Sequence, residues 1–217
     1  MKIKALLFDL DSTLYPASCG LETAAGLRIE QYMMDHLNMT PEEAKPVRKR
    51  LYQKYGGTLP GLHFEYGTDY YDSLREVHDL DVTQYVQPNP ALRDLLRKIT
   101  VPKVVFTNGY RTYATRVLLA LGILEEIDLL IDAIDLFPSP KPSEKAFLRA
   151  LELLSLPGPE GCVFFDDSRA NIDSAKALGF FSVQVASEHH PSDHADAHLD
   201  RIEDMTSIPE LQSLFHE

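Results

Sequence analysis

The chain has 217 residues, with 21 Lys and Arg against 33 Asp and Glu, a formal charge of −12. Apolar residues make up 44%, charged residues 25%, and Trp is absent, which excludes a disordered, collagen-like or coiled-coil chain. The acidic excess argues against binding a nucleic-acid polymer, which needs many Lys and Arg on phosphates, and against docking on anionic lipid.

The opening Met1–Phe8 run stops at Asp9, short of a leader's apolar core, and no later stretch reaches membrane-spanning length. Cys19 and Cys162 lie far apart with no C-x-x-C, as expected of two reduced thiols in a cytoplasmic protein. Ile3–Phe8 reads as a first buried strand. Residues 17–87 then show helical periodicity and no convincing strand. Thr40-Pro41-Glu42-Glu43 has Thr at the N-cap, Pro at N1 and Glu at N3, a capping box that opens a helix. Lys45–Lys54 holds five basic residues in ten and is expected to be a solvated helix face. Residues 58–68 read as an irregular connector bearing aromatic residues.

Gln87-Pro88-Asn89-Pro90 marks a return to the core, followed by a helix over Ala91–Ile99. Further strands are expected at Lys103–Thr107, Leu129–Ile134, Cys162–Asp166 and Phe181–Val185. Helices are expected at Thr112–Leu121, Ser143–Leu154 and Ser168–Leu178, with Gly122 and Gly179 as stop residues. Short, continuous apolar strands alternating with helices predict an α/β core with a mainly parallel sheet covered on both faces. The organisation expected is a core of 1–16 plus 88–217 with an inserted helical cap over 17–87. His189, His190, His194 and His198 read as a polar loop rather than a ligand set.

Acidic and polar residues stand where these strands end. Asp9 and Asp11 follow the first, Thr107-Asn108-Gly109 the second, and Asp166-Asp167 the fourth; Lys141 follows the third strand's connection. Ligands of open α/β sheets gather beyond the carboxyl ends of the strands. Four carboxylates meeting there would repel one another without a cation, and hard oxygen donors at that density suit Mg²⁺. Lys141, Thr107 and the amides of Asn108 and Gly109 offer donors to a phosphate. Singly these motifs are ordinary turns and caps; their common edge gives them weight.

Asp9-Leu10-Asp11-Ser12-Thr13, Phe106-Thr107-Asn108-Gly109, Lys141 with Phe147, and Asp166-Asp167-Ser168 with Asn171 and Gly179 resemble the four motifs of the haloacid dehalogenase-like hydrolase superfamily. The resemblance covers essentially the whole chain. It implies a Rossmann-like sheet of order 5-4-1-2-3, with the helical insertion as a type-1 cap. It also implies Asp9 as the nucleophile, Asp11 as the general acid and base, and phosphate contacts from Leu10, Thr107, Asn108 and Lys141. Mg²⁺ would be held by Asp9, the carbonyl of Asp11 and Asp166, supported by Asp167, with Thr13 shaping the motif loop. Members that cleave carbon–halogen bonds lack a carboxylate at the Asp11 position, so the resemblance favours phosphoryl transfer.

Within the superfamily, D-S-T-L-Y, F-D-D-S-x-x-N and Tyr55-Gly56-Gly57-Thr58-Leu59 are most similar to the pyrimidine 5′-nucleotidase-like group. That similarity implies removal of the 5′-phosphate of UMP or CMP. A nucleobase needs a flat surface and a few hydrogen-bonding groups, and Thr58, His63 and Tyr66 are the cap residues expected to contact it; a monomer or homodimer is expected. A phosphatase of a small phosphometabolite such as phosphoglycolate, a phosphomutase, and a non-catalytic regulatory module of the same fold are the alternatives.

Overall fold

The computed structural model describes residues 2–185 and 191–215. A six-stranded, all-parallel sheet runs in the order β3-β2-β1-β4-β5-β6. The strands are β1 (Ala5–Phe8), β2 (Lys103–Phe106), β3 (Leu129–Ile131), β4 (Cys162–Asp166), β5 (Phe181–Val185) and β6 (Ala197–Leu199). Read from the other edge, the first five follow the expected order. The added β6 carries a half-buried, exposed and buried residue in turn, so it lacks the continuous apolar run that marked the others.

Alternate side chains of β1 leave opposite faces of the sheet. Leu6 and Phe8 join Val105, Phe165 and Val183 in one core. Its helical cover includes α5 (Pro90–Leu96) and α6 (Arg111–Leu121), through Leu92, Leu96, Val117 and Leu118. Ala5 and Leu7 join Val104, Phe106 and Phe164 on the other face. There α8 (Glu144–Leu153) and α9 (Arg169–Leu178) close the core with Phe147, Ala150, Ile172 and Ala175. The central strands β1, β2 and β4 are thus buried on both faces, which is why their sequences are nearly continuous apolar runs.

Between β1 and α5 stand four α-helices: α1 (Leu21–Leu37), α2 (Pro41–Tyr55), α3 (Thr58–Tyr66) and α4 (Tyr70–Val77). They share their own apolar cluster, with Tyr32, Met33, Leu51, Leu62 and Leu74 at its centre. Thr40 accepts from the Glu43 amide at 3.3 Å and the Glu43 carboxylate accepts from the Thr40 amide at 2.8 Å, the reciprocal pair expected of a capping box. On α2, Lys45, Lys49, Arg50 and Lys54 are exposed, whereas Arg48 is half-buried and bonds Glu30 at 2.8 Å.

The 58–68 segment is not irregular: α3 occupies most of it. Pro60 stands in the first turn, where its missing N–H costs nothing. A Cβ on Gly61 would lie 2.8 Å from Leu51 Cβ, so glycine lets α3 close onto α2. Packing here outweighs the poor helix propensity of Pro and Gly. The third strand ends at Ile131 rather than Ile134 because Asp132 caps a further turn, α7 (Ala133–Leu136), accepting from the Asp135 amide at 3.4 Å. The helix expected over Ala91–Ile99 starts at Pro90 and stops at Leu96. Among the described residues no helix is long and apolar enough to cross a membrane. His189 and His190 lie outside the described residues; His194 and His198 belong to no group of potential metal ligands among them.

Candidate active site

In an open sheet of this kind the strand order reverses beside β1, and the adjacent crevice beyond the carboxyl ends is where ligands bind. Asp9 follows β1 and Asp166 ends β4, its neighbour. The Asp9 amide donates to the Phe165 carbonyl at 2.8 Å, fixing the acid beside that strand. The loop then turns sharply: Ser12 takes φ 60°, and the Leu10 carbonyl accepts from Thr13 and Leu14 at 3.4 and 3.1 Å. Thr13 is buried in this turn, and its Oγ1 has no hydrogen-bond partner among the described residues.

Lys141 is 1% exposed. Its Nζ donates to Asp9 Oδ1 and to Asp166 Oδ2, both at 2.7 Å, and lies 4.9 Å above the Phe106 ring centre. Burial works against its charge, but Asp166 and Asp9 outweigh burial and raise its pKa. Asp166 also accepts from Asn171 Nδ2 at 3.0 and 2.9 Å and from the Ser168 amide at 2.8 Å. Asp9, Asp166 and Asp167 each bring a carboxylate oxygen within 4.8 Å of the others. Burial, helped by repulsion from Asp166, Asp167 and Asp11, holds the Asp9 carboxyl well above its usual range despite Lys141. Asp167 is pushed up to about 7, by burial first and then by Asp166 and Glu22.

Thr107 is buried, and its Oγ1 accepts from the Gly109 amide at 2.9 Å. That leaves the hydroxyl proton for an incoming acceptor but engages one of the amides expected to meet phosphate. The Asn108 side chain does something the sequence did not suggest. It accepts from the Lys141 amide at 3.0 Å, and donates to the Lys141 carbonyl at 2.9 Å and to the Gly56 carbonyl at 3.3 Å. Gly56 sits at φ +72°, and a Cβ there would lie 2.6 Å from the Lys141 carbonyl oxygen. Asn108 therefore clamps the Lys141 loop to the β2 loop and to the end of α2.

Asp11 Oδ1 accepts from Tyr113 at 2.6 Å and from Tyr15. Burial raises the Asp11 pKa, and the two phenols pull it back. Sequence reasoning gave these tyrosines no role, because aromatic residues in a motif loop and in the first turn of α6 read as core.

A cavity of about 240 Å³ stands over these groups. Its lining includes Asp9, Asp11, Thr107, Asn108, Lys141 and Asp167 from below, and Arg48, Tyr52, Thr58 and Tyr70 from the helices between β1 and β2. Thr58 is buried and donates to the Arg48 carbonyl at 3.3 Å. His63 and Tyr66 lie outside this lining. His63 Nδ1 pairs with the Thr68 carbonyl at 2.8 Å, with its ring edge-on to Phe137 at 5.4 Å, and Tyr66 is 39% exposed at the end of α3.

The family model described as haloacid dehalogenase-like hydrolase matches residues 3–179. The chain belongs to that family. Phosphate metabolism protein 8 of Saccharomyces cerevisiae is 27% identical over 200 residues, which are 81% of this chain and 59% of the yeast protein. The chain thus spans little more than half the length of that relative. Phosphoglycolate phosphatase of Chromobacterium violaceum is 26% identical over 98% of this chain and 96% of its own. The fold is shared with the HAD-hydrolase YfnB of Bacillus subtilis, solved bound to magnesium: the TM-score is 0.66 at 16% identity, covering 97% of this chain and all of that one.

Proposed function

We propose that this chain is a Mg²⁺-dependent phosphomonoester hydrolase acting through an aspartyl-phosphate on Asp9. The observation that carries this reading is the buried Lys141 bridging Asp9 and Asp166 at 2.7 Å on each side, in the lining of a cavity that Thr107 also lines. The all-oxygen donor set of Asp9, Asp166 and Asp167 fits Mg²⁺. Asp9, Asp166 and the Asp11 carbonyl would hold it, with Asp167 behind. When bound, it supplies positive charge that offsets the acids and the phosphate dianion.

The chain's own residues divide the reaction in two. Lys141 and the Thr107 hydroxyl hold the phosphoryl oxygens, offsetting the repulsion between Asp9 and a dianion. Asp9 forms a bond to phosphorus while the ester P–O bond breaks and Asp11 gives its proton to the departing oxygen. Asp11, now a carboxylate, takes a proton from water as that water attacks phosphorus, which frees Asp9 and releases inorganic phosphate.

The leaving group proposed is small and anionic, of the phosphoglycolate class. Arg48 lines the same cavity as Asp9 and Asp11, and a guanidinium suits a carboxylate. Phosphoglycolate phosphatase of Chromobacterium violaceum aligns over 98% of the chain. A pyrimidine 5′-mononucleotide is the second reading, favoured by the aromatic faces of Tyr52 and Tyr70 in the same lining. Phosphate release with Mg²⁺ across phosphoglycolate, sugar phosphates, CMP and UMP tests both, with Asp9→Asn as blank. The first reading expects highest kcat/KM on phosphoglycolate and a roughly tenfold or larger KM rise for it in Arg48→Ala, the size of one charged hydrogen bond. A peak at CMP or UMP would select the second, and no release from any compound would overturn the hydrolase reading.

A further inference from the structure

Resting on the phosphatase reading, we propose that Tyr113 and Tyr15 are a pair of positioning residues that aim Asp11 at the leaving oxygen. Both hydroxyls donate to the same atom, Asp11 Oδ1, Tyr113 at 2.6 Å. The phenol oxygens stand 3.4 Å from each other. Among the described residues, Oδ2 of Asp11 receives no hydrogen bond. An oxygen that already accepts two donors is a poor place for a proton, because a proton there would face two others. The acid form of Asp11 therefore carries its proton on Oδ2, and Asp11 lines the cavity that also exposes Asp9. The phenols fix the side-chain rotation and select the oxygen that does the work.

The two donors come from independent elements. Tyr15 is four residues beyond Asp11 in the motif loop, whereas Tyr113 is on α6, packed against the sheet. Both are buried, at 4% and 1% exposure. His78, at the end of α4, lays its ring against Tyr113 with ring centres 4.9 Å apart. A phenol keeps its proton at neutral pH, so both hydroxyls are donors to the Asp11 carboxylate. Five α6 residues, Tyr113, Ala114, Val117, Leu118 and Leu121, belong to the same buried core, so Tyr113 cannot follow Asp11 if the motif loop shifts. The step they serve is balanced as follows. The Asp9–phosphorus bond forms, the ester P–O bond breaks with its electron pair on the alcohol oxygen, and the Oδ2 proton of Asp11 completes the alcohol.

A leaving group that needs no proton separates positioning from structure. The first step is followed as the burst of alcohol release in a single turnover with Mg²⁺. The substrates are p-nitrophenyl phosphate, whose phenolate leaves unaided, and the best alkyl ester among phosphoglycolate, CMP and UMP. Tyr113→Phe keeps the ring and its packing. It is expected to slow the alkyl-ester burst by about tenfold or more, within the range general-acid catalysis contributes. The p-nitrophenyl burst should fall by less than about threefold and KM should move by less than about twofold. Tyr15→Phe should act in the same sense, and neither change should slow the alkyl ester further in an Asp11→Asn background, where the group being aimed is gone. Equal slowing of both leaving groups, no slowing, or additivity with Asp11→Asn would overturn the pairing while leaving the phosphatase reading intact. A wild-type enzyme with no burst and no trapped phosphoenzyme would overturn both.

Discussion

Asn108→Ala isolates the clamp that holds Lys141. The substitution removes the acceptor of the Lys141 amide at 3.0 Å and the donor to the Lys141 carbonyl at 2.9 Å. It also removes the longer bond to Gly56 at 3.3 Å. A hydrogen bond contributes about 0.5–1.5 kcal/mol net, and a buried group left unpaired costs towards or beyond the upper end. With Asn108 half-buried, the three together come to about 2–3 kcal/mol. At about 2–4 °C per kcal/mol for a chain of this size, the melting temperature should fall by roughly 5–10 °C. The kinetic effect is separate. Lys141 Nζ must meet Asp9 and Asp166 at once, and a displacement of about 1 Å at such a site costs on the order of a hundredfold. Calorimetry and steady-state phosphate release on the same preparation read both quantities. A melting shift under about 2 °C together with kcat within about twofold of wild type would refute the clamp.

Other consequences follow from the same geometry. Asp9→Asn should bring phosphate release down to background while the melting temperature stays within a few degrees, since the change lowers the repulsion in a buried acidic cluster; turnover retained by the variant would rule out Asp9 as the nucleophile. Chelation with EDTA should silence the enzyme and Mg²⁺ restore it, with Ca²⁺ a poor replacement because it takes more and longer oxygen contacts; full turnover in chelator would contradict the assignment of the acids. His78 is a stability switch of known sign. Burial, with Arg116 adding to it, holds its pKa down to about 4, against about 6.5 unfolded. The unfolded chain therefore binds more protons across that window. Stability should fall as pH drops from about 6.5 towards 4, by up to on the order of 3 kcal/mol from this group. Urea melts of His78→Gln and wild type from pH 7 to 4 should converge towards low pH. A constant gap would contradict it.

Much of the core was legible because doubly buried strands write themselves as continuous apolar runs. Phe8 and Asp166 end strands where the sequence placed them, and β2 stops at Phe106, one residue short of the expected Thr107. The polar residues of the candidate site were easy to single out because they stand at or directly beyond those ends, where few apolar residues compete. What escaped was decided by packing. Helix α3 carries Pro60 and Gly61, both contrary to helix propensity, and is held by contact with α2. Strand β6 is three residues long and only one of them is buried. The cap picks show the same limit. Thr58, His63 and Tyr66 share α3, yet only Thr58 lines the cavity, because which way a helix faces is not written in residue type. Arg48 looked like part of a solvated basic face for the same reason. Asn108 and Tyr113 act on residues 33 and 102 positions away, beyond the reach of any local pattern.

The most direct test of the account is to look for the acyl phosphate on Asp9. Enzyme turning over its best substrate with Mg²⁺ is quenched and reduced with borohydride, which converts an aspartyl phosphate to homoserine, and the peptide containing residues 5–15 is sequenced by mass spectrometry. The account predicts homoserine at position 9 alone, more of it in Asp11→Asn and none in Asp9→Asn. Steady phosphate release with unmodified Asp9, or the mark at another acid, would contradict it.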